Sequence, residues 1–144
     1  MAGFYVVTPL KDQRALAEEM IEHWCRGWGA GYNSNRAEAL NLVRLADSLA
    51  EAKEAIDGET GREALLVSTS ALDGPERLGF EDVRKILDAE RPVLIVFGTA
   101  WGLTEQAQAL CEIKLEPIKG PTKYNHLSVR SAAGIVLDRL MGRN

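Results

Sequence analysis

Short β-branched and aromatic runs alternate with amphipathic stretches along the whole chain. Phe4-Tyr5-Val6-Val7, closed by Thr8-Pro9, predicts a strand. Asp12 is expected to cap a helix running to about Arg26, because Leu16, Met20, Ile21 and Trp24 keep helical spacing. Gly27, Gly29 and Gly31 end it, and a loop is expected to carry Trp28, Tyr32, Asn33 and Asn35. Asn35 with Glu38 resembles a capping box for a short helix over residues 36–41, before a short strand at 42–45. Ser48 with Glu51 makes a cleaner box for a helix ending near Asp57-Gly58. Leu65-Leu66-Val67-Ser68-Thr69 is the next strong strand, followed by a turn-rich stretch through Gly74-Pro75 and a helix over 80–89. Pro92-Val93-Leu94-Ile95-Val96-Phe97 is the most apolar run, expected at the centre of a parallel sheet buried on both faces. A turn at 98–102, a helix over about 103–110, a short strand at 113–115 and a final helix over 126–141 complete the order. The alternation predicts an α/β fold: an open, mainly parallel sheet with helices on both faces.

The 144 residues suit one domain, and 46% hydrophobic content with a net charge of only -4 argues against disorder. No apolar run approaches the roughly 20 residues of a membrane span. The first residues lack the pattern of a signal peptide, and Cys25 and Cys111 form no CxxC pair. A cytoplasmic protein with reduced thiols is expected. Charge is uneven: residues 113–144 carry six basic and two acidic side chains, net +4, against −8 elsewhere. An anionic ligand could meet that last quarter, or the charges could be scattered in solvent.

In open α/β sheets ligands bind beyond the carboxyl ends of the strands. Those ends are Thr8-Pro9, Ser68-Thr69-Ser70, Phe97 to Gly102 and Leu115 to Gly120. Small residues at the second and third allow close approach to the backbone, and Trp101 offers an aromatic face for a nucleoside-like ligand. GxGxxG, GxxxxGK[ST], HExxH and GxSxG are all missing, and two histidines are too few for a His-rich centre, so no metal is expected.

Phe97-Gly98-Thr99-Ala100-Trp101-Gly102-Leu103, Leu115-Glu116-Pro117-Ile118, Tyr124-Asn125-His126-Leu127-Ser128-Val129-Arg130-Ser131-Ala132-Ala133 and Ile135-Val136-Leu137-Asp138-Arg139-Leu140 resemble the two C-terminal motifs of the SPOUT methyltransferases. Phe4 to Pro9, His23-Trp24, Tyr32-Asn33 and Thr69-Ser70-Ala71 extend the resemblance over nearly the whole chain. The nearest match is the small bacterial family of S-adenosylmethionine (SAM)-dependent RNA methyltransferases, found alone or fused behind the tRNA guanine-N1 methyltransferase. The resemblance implies a C-terminal trefoil knot, SAM as cofactor, a tRNA or rRNA substrate and a homodimer. Carried over by position, Thr69, Ser70, Phe97, Gly98, Thr99, Trp101, Gly102, Leu103, Pro117, Ile118, His126 and Leu127 would hold the cofactor. Arg130, Ser128 and Asn125 would serve catalysis, with Lys123 as a second phosphate contact.

Two departures from the family stand out. Residues 1–144 resemble a single SPOUT-like domain lacking the usual first strand and helix. Ala100 stands where relatives usually have glycine, and a positive φ there would impose strain of about 1 kcal/mol or more. The alternative function is therefore a non-catalytic SAM- or nucleotide-binding module. Single residues keep plainer alternatives as well: Arg130 a solvated helix-start arginine, Ser128 a helix cap, Asn125 and His126 turn-stabilising side chains. Trp24 and Trp28 read as core and interface residues ahead of a base-stacking platform, and Cys111 as a buried apolar residue. Val129, Ala132, Ala133, Val136, Leu137 and Leu140 recur at helical spacing, a face that a monomer would bury on its own sheet and that the SPOUT resemblance assigns to a two-fold partner.

Overall fold

The computed structural model describes residues 2–88, 91–122 and 124–142. Its elements are β1 (Phe4–Val7), α1 (Lys11–Cys25), α2 (Trp28–Tyr32), α3 (Ser34–Leu40), β2 (Val43–Ala46), α4 (Leu49–Thr60), β3 (Leu65–Ser68), β4 (Arg77–Leu78), α5 (Phe80–Leu87), β5 (Val93–Val96), α6 (Glu105–Ala109), β6 (Ile113–Leu115) and α7 (Val129–Met141). The α/β class predicted from the alternation is the class observed. The strands form two parallel sheets, one in each of two compact units that divide within α4, after Ala55.

In the first unit β1 pairs with β2 in parallel, Phe4 opposite Val43 and Val7 opposite Ala46. α1 begins two residues earlier than Asp12 as a cap suggests. Thr8 Oγ1 accepts from the Leu10 N–H (3.3 Å) and donates to Gln13 Oε1 (3.0 Å), which ties down the entry. Asp12 falls in the first turn, where its charge still complements the helix dipole. The expected loop closes into α2, because Gly29 packs on the Trp24 ring where a Cβ would come within 2.6 Å of Cε3. Asn33 caps α3 in place of Asn35, its side chain accepting from the Arg36 N–H (3.0 Å). Ser48 and Glu51 act as the sequence suggests at α4: Ser48 Oγ accepts from the Glu51 N–H (3.1 Å), and Glu51 reaches back to the Asp47 N–H (2.6 Å). That helix passes through Gly58 and stops at Thr60, because Gly61 takes the left-handed conformation that ends it.

In the second unit the strand order is β4-β6-β3-β5, all parallel. The most apolar run, β5, lies at an edge and is only half-buried, while β3 takes the centre and is buried throughout. Hydrophobicity sets how much surface a strand would bury; pairing order sets its position. β4 was hidden in the turn-rich stretch because two residues carry no periodicity. Val67, Phe80, Val83, Leu115, Val136 and Leu140 form the core, with α5 and α7 supplying four of them. Leu66, on the opposite face of β3, is also fully buried, so both faces of that strand are covered. Arg139 lies over the Phe80 ring at 4.9 Å, and Arg84 donates to the Arg139 carbonyl, joining α5 to α7. Cys111 is buried, and burial pushes its thiol pKa up. Ala89, the last residue of the helix expected over 80–89, lies outside the described residues.

Candidate functional site

The parallel register brings the carboxyl ends of β3, β5 and β6 to one end of the sheet, with Ser68 opposite both Val96 and Lys114. Beyond them lies a cavity of about 600 Å³, lined by the segments after β3, β5 and β6 and by the start of α7. This size falls in the usual range for organic ligands.

The turn after β5 is the most constrained part of its wall. Gly102 has φ +92° and Ala100 has φ +50°, so the alanine sits in the conformation that makes it costly. The Gly102 N–H closes the turn on the Thr99 carbonyl (2.9 Å). Gly98 is required for a different reason: a Cβ there would overlap the main chain of Gly102 and Leu103. Gly102 itself faces open space, so its requirement is conformational and not steric.

Side chains tie the other segments together. Thr69 bonds the Val96 carbonyl twice, from its N–H (3.0 Å) and its Oγ1 (2.9 Å), fastening the segment after β3 to β5. Asn125 Nδ2 donates to the Ala71 carbonyl (2.9 Å), drawing the segment before α7 onto the same place. Lys119 pairs with Asp73 (3.0 Å) across the exposed rim and, as its main hydrogen-bond donor, holds the Asp73 carboxyl below the usual carboxylate range. Glu116 Oε1 accepts from the Phe80 N–H (3.1 Å), satisfying a donor at the start of α5. Arg77 donates from Nη1 to the Leu115 carbonyl (3.0 Å), while its Nε is buried without a partner.

Of the residues singled out from the sequence, Thr69, Ser70, Phe97, Gly98, Trp101, Gly102, Leu103, Ile118, Asn125, His126 and Leu127 line this cavity together. Trp101 stands fully exposed on its rim. Thr99, Pro117, Ser128 and Arg130 do not line it. Pro117 is buried, and Thr99 is exposed on the turn. Ser128 caps α7, its oxygen accepting from the Ser131 N–H (3.3 Å). Arg130 is exposed in the first turn of that helix. The His126 ring meets Tyr124 edge-on at 5.7 Å. Lys123 lies outside the described residues. Sequence reasoning missed Asp73, Arg77 and Glu116 as part of the wall. The Asp73-Gly74-Pro75 turn signature and the position of Glu116 at a strand end were the available signals.

The lining fits SAM in kind. Ser70, Gly98 and Gly102 leave main chain within reach of a ligand, Leu103, Ile118 and Leu127 supply apolar surface, and Glu116 and Asp73 bring carboxylates near a cationic group.

The profile of a family described as SAM-dependent RNA methyltransferase matches residues 1–142. Two proteins named tRNA (guanine-N(1)-)-methyltransferase, from Oleidesulfovibrio alaskensis and Nitratidesulfovibrio vulgaris, are 43% and 44% identical over 142 residues. Each match covers 99% of this chain and 33% of the relative, so the chain spans about a third of their length. An uncharacterized protein of Aquifex aeolicus is 41% identical over 98% of this chain and 69% of its own. Among solved structures, a probable methylase family protein from Haemophilus influenzae aligns with a TM-score of 0.57 at 25% identity, over 76% of this chain and 46% of that one. With a family profile matched over residues 1–142 and a SAM-compatible cavity within them, the chain belongs to the SAM-dependent RNA methyltransferase family.

Proposed function

We propose that this chain transfers a methyl group from SAM to a nucleotide of tRNA or rRNA, with the cofactor held in the cavity beyond β3, β5 and β6. The observation that carries the reading is the convergence there of the FGTAWGL turn and the segment before α7, the stretches that carry the family resemblance. SAM supplies a methyl group already activated by its sulfonium, so the protein's task is alignment and proton acceptance. Leu103, Ile118 and Leu127 are suited to the adenine, and the turn backbone from Gly98 to Leu103 to its polar edge. Thr99 and Pro117 then act by shaping the turns, since neither lines the cavity. Asn125 holds the segment before α7 through Ala71 and keeps its amide oxygen as an acceptor. Ser128 accepts from the Ser131 N–H and shares a 2.9 Å hydrogen bond with the Ser131 hydroxyl, so its part is to cap and orient the start of α7. Arg130 is free on the surface of α7 to take an RNA phosphate.

The rest of the reading is a C-terminal trefoil knot, a cytoplasmic location and a homodimer built on α7. Among the described residues no helix is long and apolar enough to cross a membrane. Val136 and Leu140 of α7 are buried in the unit's own core, yet Ala132, Ala133, Ile135 and Leu137 are only half-covered and Gly134 is open. That residual face supports a close two-fold helix contact. Light scattering should give about twice 15.8 kDa; a mass near 15.8 kDa at tens of micromolar removes the dimer. For the activity, transfer of labelled methyl from SAM to bulk tRNA or rRNA is expected. SAM binding without transfer would leave a non-catalytic binding module in its place.

A further inference from the structure

We propose that Trp28 and Tyr32 form a stacking platform for unpaired RNA bases, in the first unit of the chain. This rests on the reading of the protein as an RNA methyltransferase. The two residues lie one helical turn apart on α2, with ring centroids 5.4 Å apart and planes within 17° of parallel. Both are largely in solvent, at 76% and 72% exposure. The core or interface role suggested for Trp28 by its residue type is not met by this chain itself. The intervening residues leave the rings uncovered: Gly29 is turned inward against Trp24, and a Cβ at Gly31 would meet nothing.

Charge decides between occupants. Residues 23–37 contain no Asp or Glu, although the chain as a whole is at -4. They carry Arg26, Arg36 and His23. Arg36 is exposed, with its guanidinium 4.2 Å over the Trp24 ring, and Arg26 is 79% exposed at its side chain even while paired with Glu22. Flat π faces on a segment whose charged residues are all cations are what a single strand needs, since every base has a face to stack and every phosphate a charge to neutralise. A second copy of this chain fits less well. Apart from Ala30, the residues beside the two rings in sequence are Gly27, Gly29, Gly31, Asn33, Ser34 and Asn35, which supply little apolar surface for a partner protein.

The test is fluorescence anisotropy of a labelled single-stranded RNA of mixed sequence titrated with the full chain. Trp28→Ala and Tyr32→Ala should each weaken binding by about tenfold. Trp28→Phe should keep most of the affinity, and circular dichroism and SAM titration should be unchanged in all three. Unchanged RNA affinity in the double alanine variant overturns the platform. So does a double variant that loses light-scattering mass while keeping RNA affinity, which would make the surface a contact between copies. Failure of the methyltransferase reading is separately visible, as absence of labelled methyl transfer by the unaltered chain.

Discussion

Leu66 and Leu16 are both leucines inside regular elements, yet Leu66 in β3 is fully buried and Leu16 on α1 is 60% exposed. The contrast extends to the two units that contain them. In the second, large side chains from β3, β6, α5 and α7 close on one another. In the first, the buried residues are small (Ala46, Ala52, Gly29 and Thr8), and α1 buries none over its 15 residues. Regular structure there is held locally, by the Asn33 and Ser48 caps, by Arg14 paired with Asp47 and by Arg36 on Trp24. Two strands are too few to build a core of their own. Ala100 at φ +50° lies on an exposed turn of the second unit, closed by the Gly102 N–H on the Thr99 carbonyl and following directly on the strand β5.

The largest effect should separate the units directly. Leu66→Ala removes a fully buried side chain and should cost about 2–5 kcal/mol in urea unfolding. Leu16→Ala should stay within about 0.5 kcal/mol. Equal costs would mean that the first unit has a core of its own. Next, Gly98→Ala forces a Cβ into the main chain of Gly102 and Leu103 and should cost about 1–3 kcal/mol, with loss of SAM binding. Ala100→Gly should act in the opposite direction, raising stability by about 1 kcal/mol through relief of the left-handed backbone. A rise in thermal midpoint of a few degrees is the readout.

The fold was legible where periodicity and caps carried it: β1, β3 and the Ser48–Glu51 start lie where their residues suggest, and α7 ends at Met141 as expected but starts at Val129, three residues late, because Ser128 caps it. It was illegible where position depended on pairing. Nothing in Val93 to Val96 reveals that β5 sits at an edge, and β4 exists only because Arg77 and Leu78 find Lys114 and Leu115. Likewise Asn33 outcompeted Asn35 as a cap because Gly29 packing on Trp24 extended the helical turn that precedes it. In the cavity, the glycine-bearing turn and the Asn125–Leu127 stretch could be named in advance. Arg77 could not, since its presence there follows from strand order.

The smallest effect concerns the rim. Lys119 holds the Asp73 carboxyl below its usual range, so the pair stabilises the fold above the ordinary carboxylate pKa and its contribution disappears as pH falls through the depressed value. Lys119→Met should move the Asp73 titration, followed by NMR, upward toward the ordinary range while changing stability little, because both groups are exposed. An unmoved titration would mean that the pair does not form in solution.

The most direct test of the proposed cofactor site is amide chemical-shift mapping of the full chain titrated with SAM. The expected result is saturable shifts at Gly98 to Leu103, Thr69, Ser70, Ile118 and Asn125 to Leu127, with the amides of α1 unmoved. No shifts at millimolar SAM on folded protein, or shifts confined to residues of the first unit, would contradict a cofactor site in the cavity beyond β3, β5 and β6.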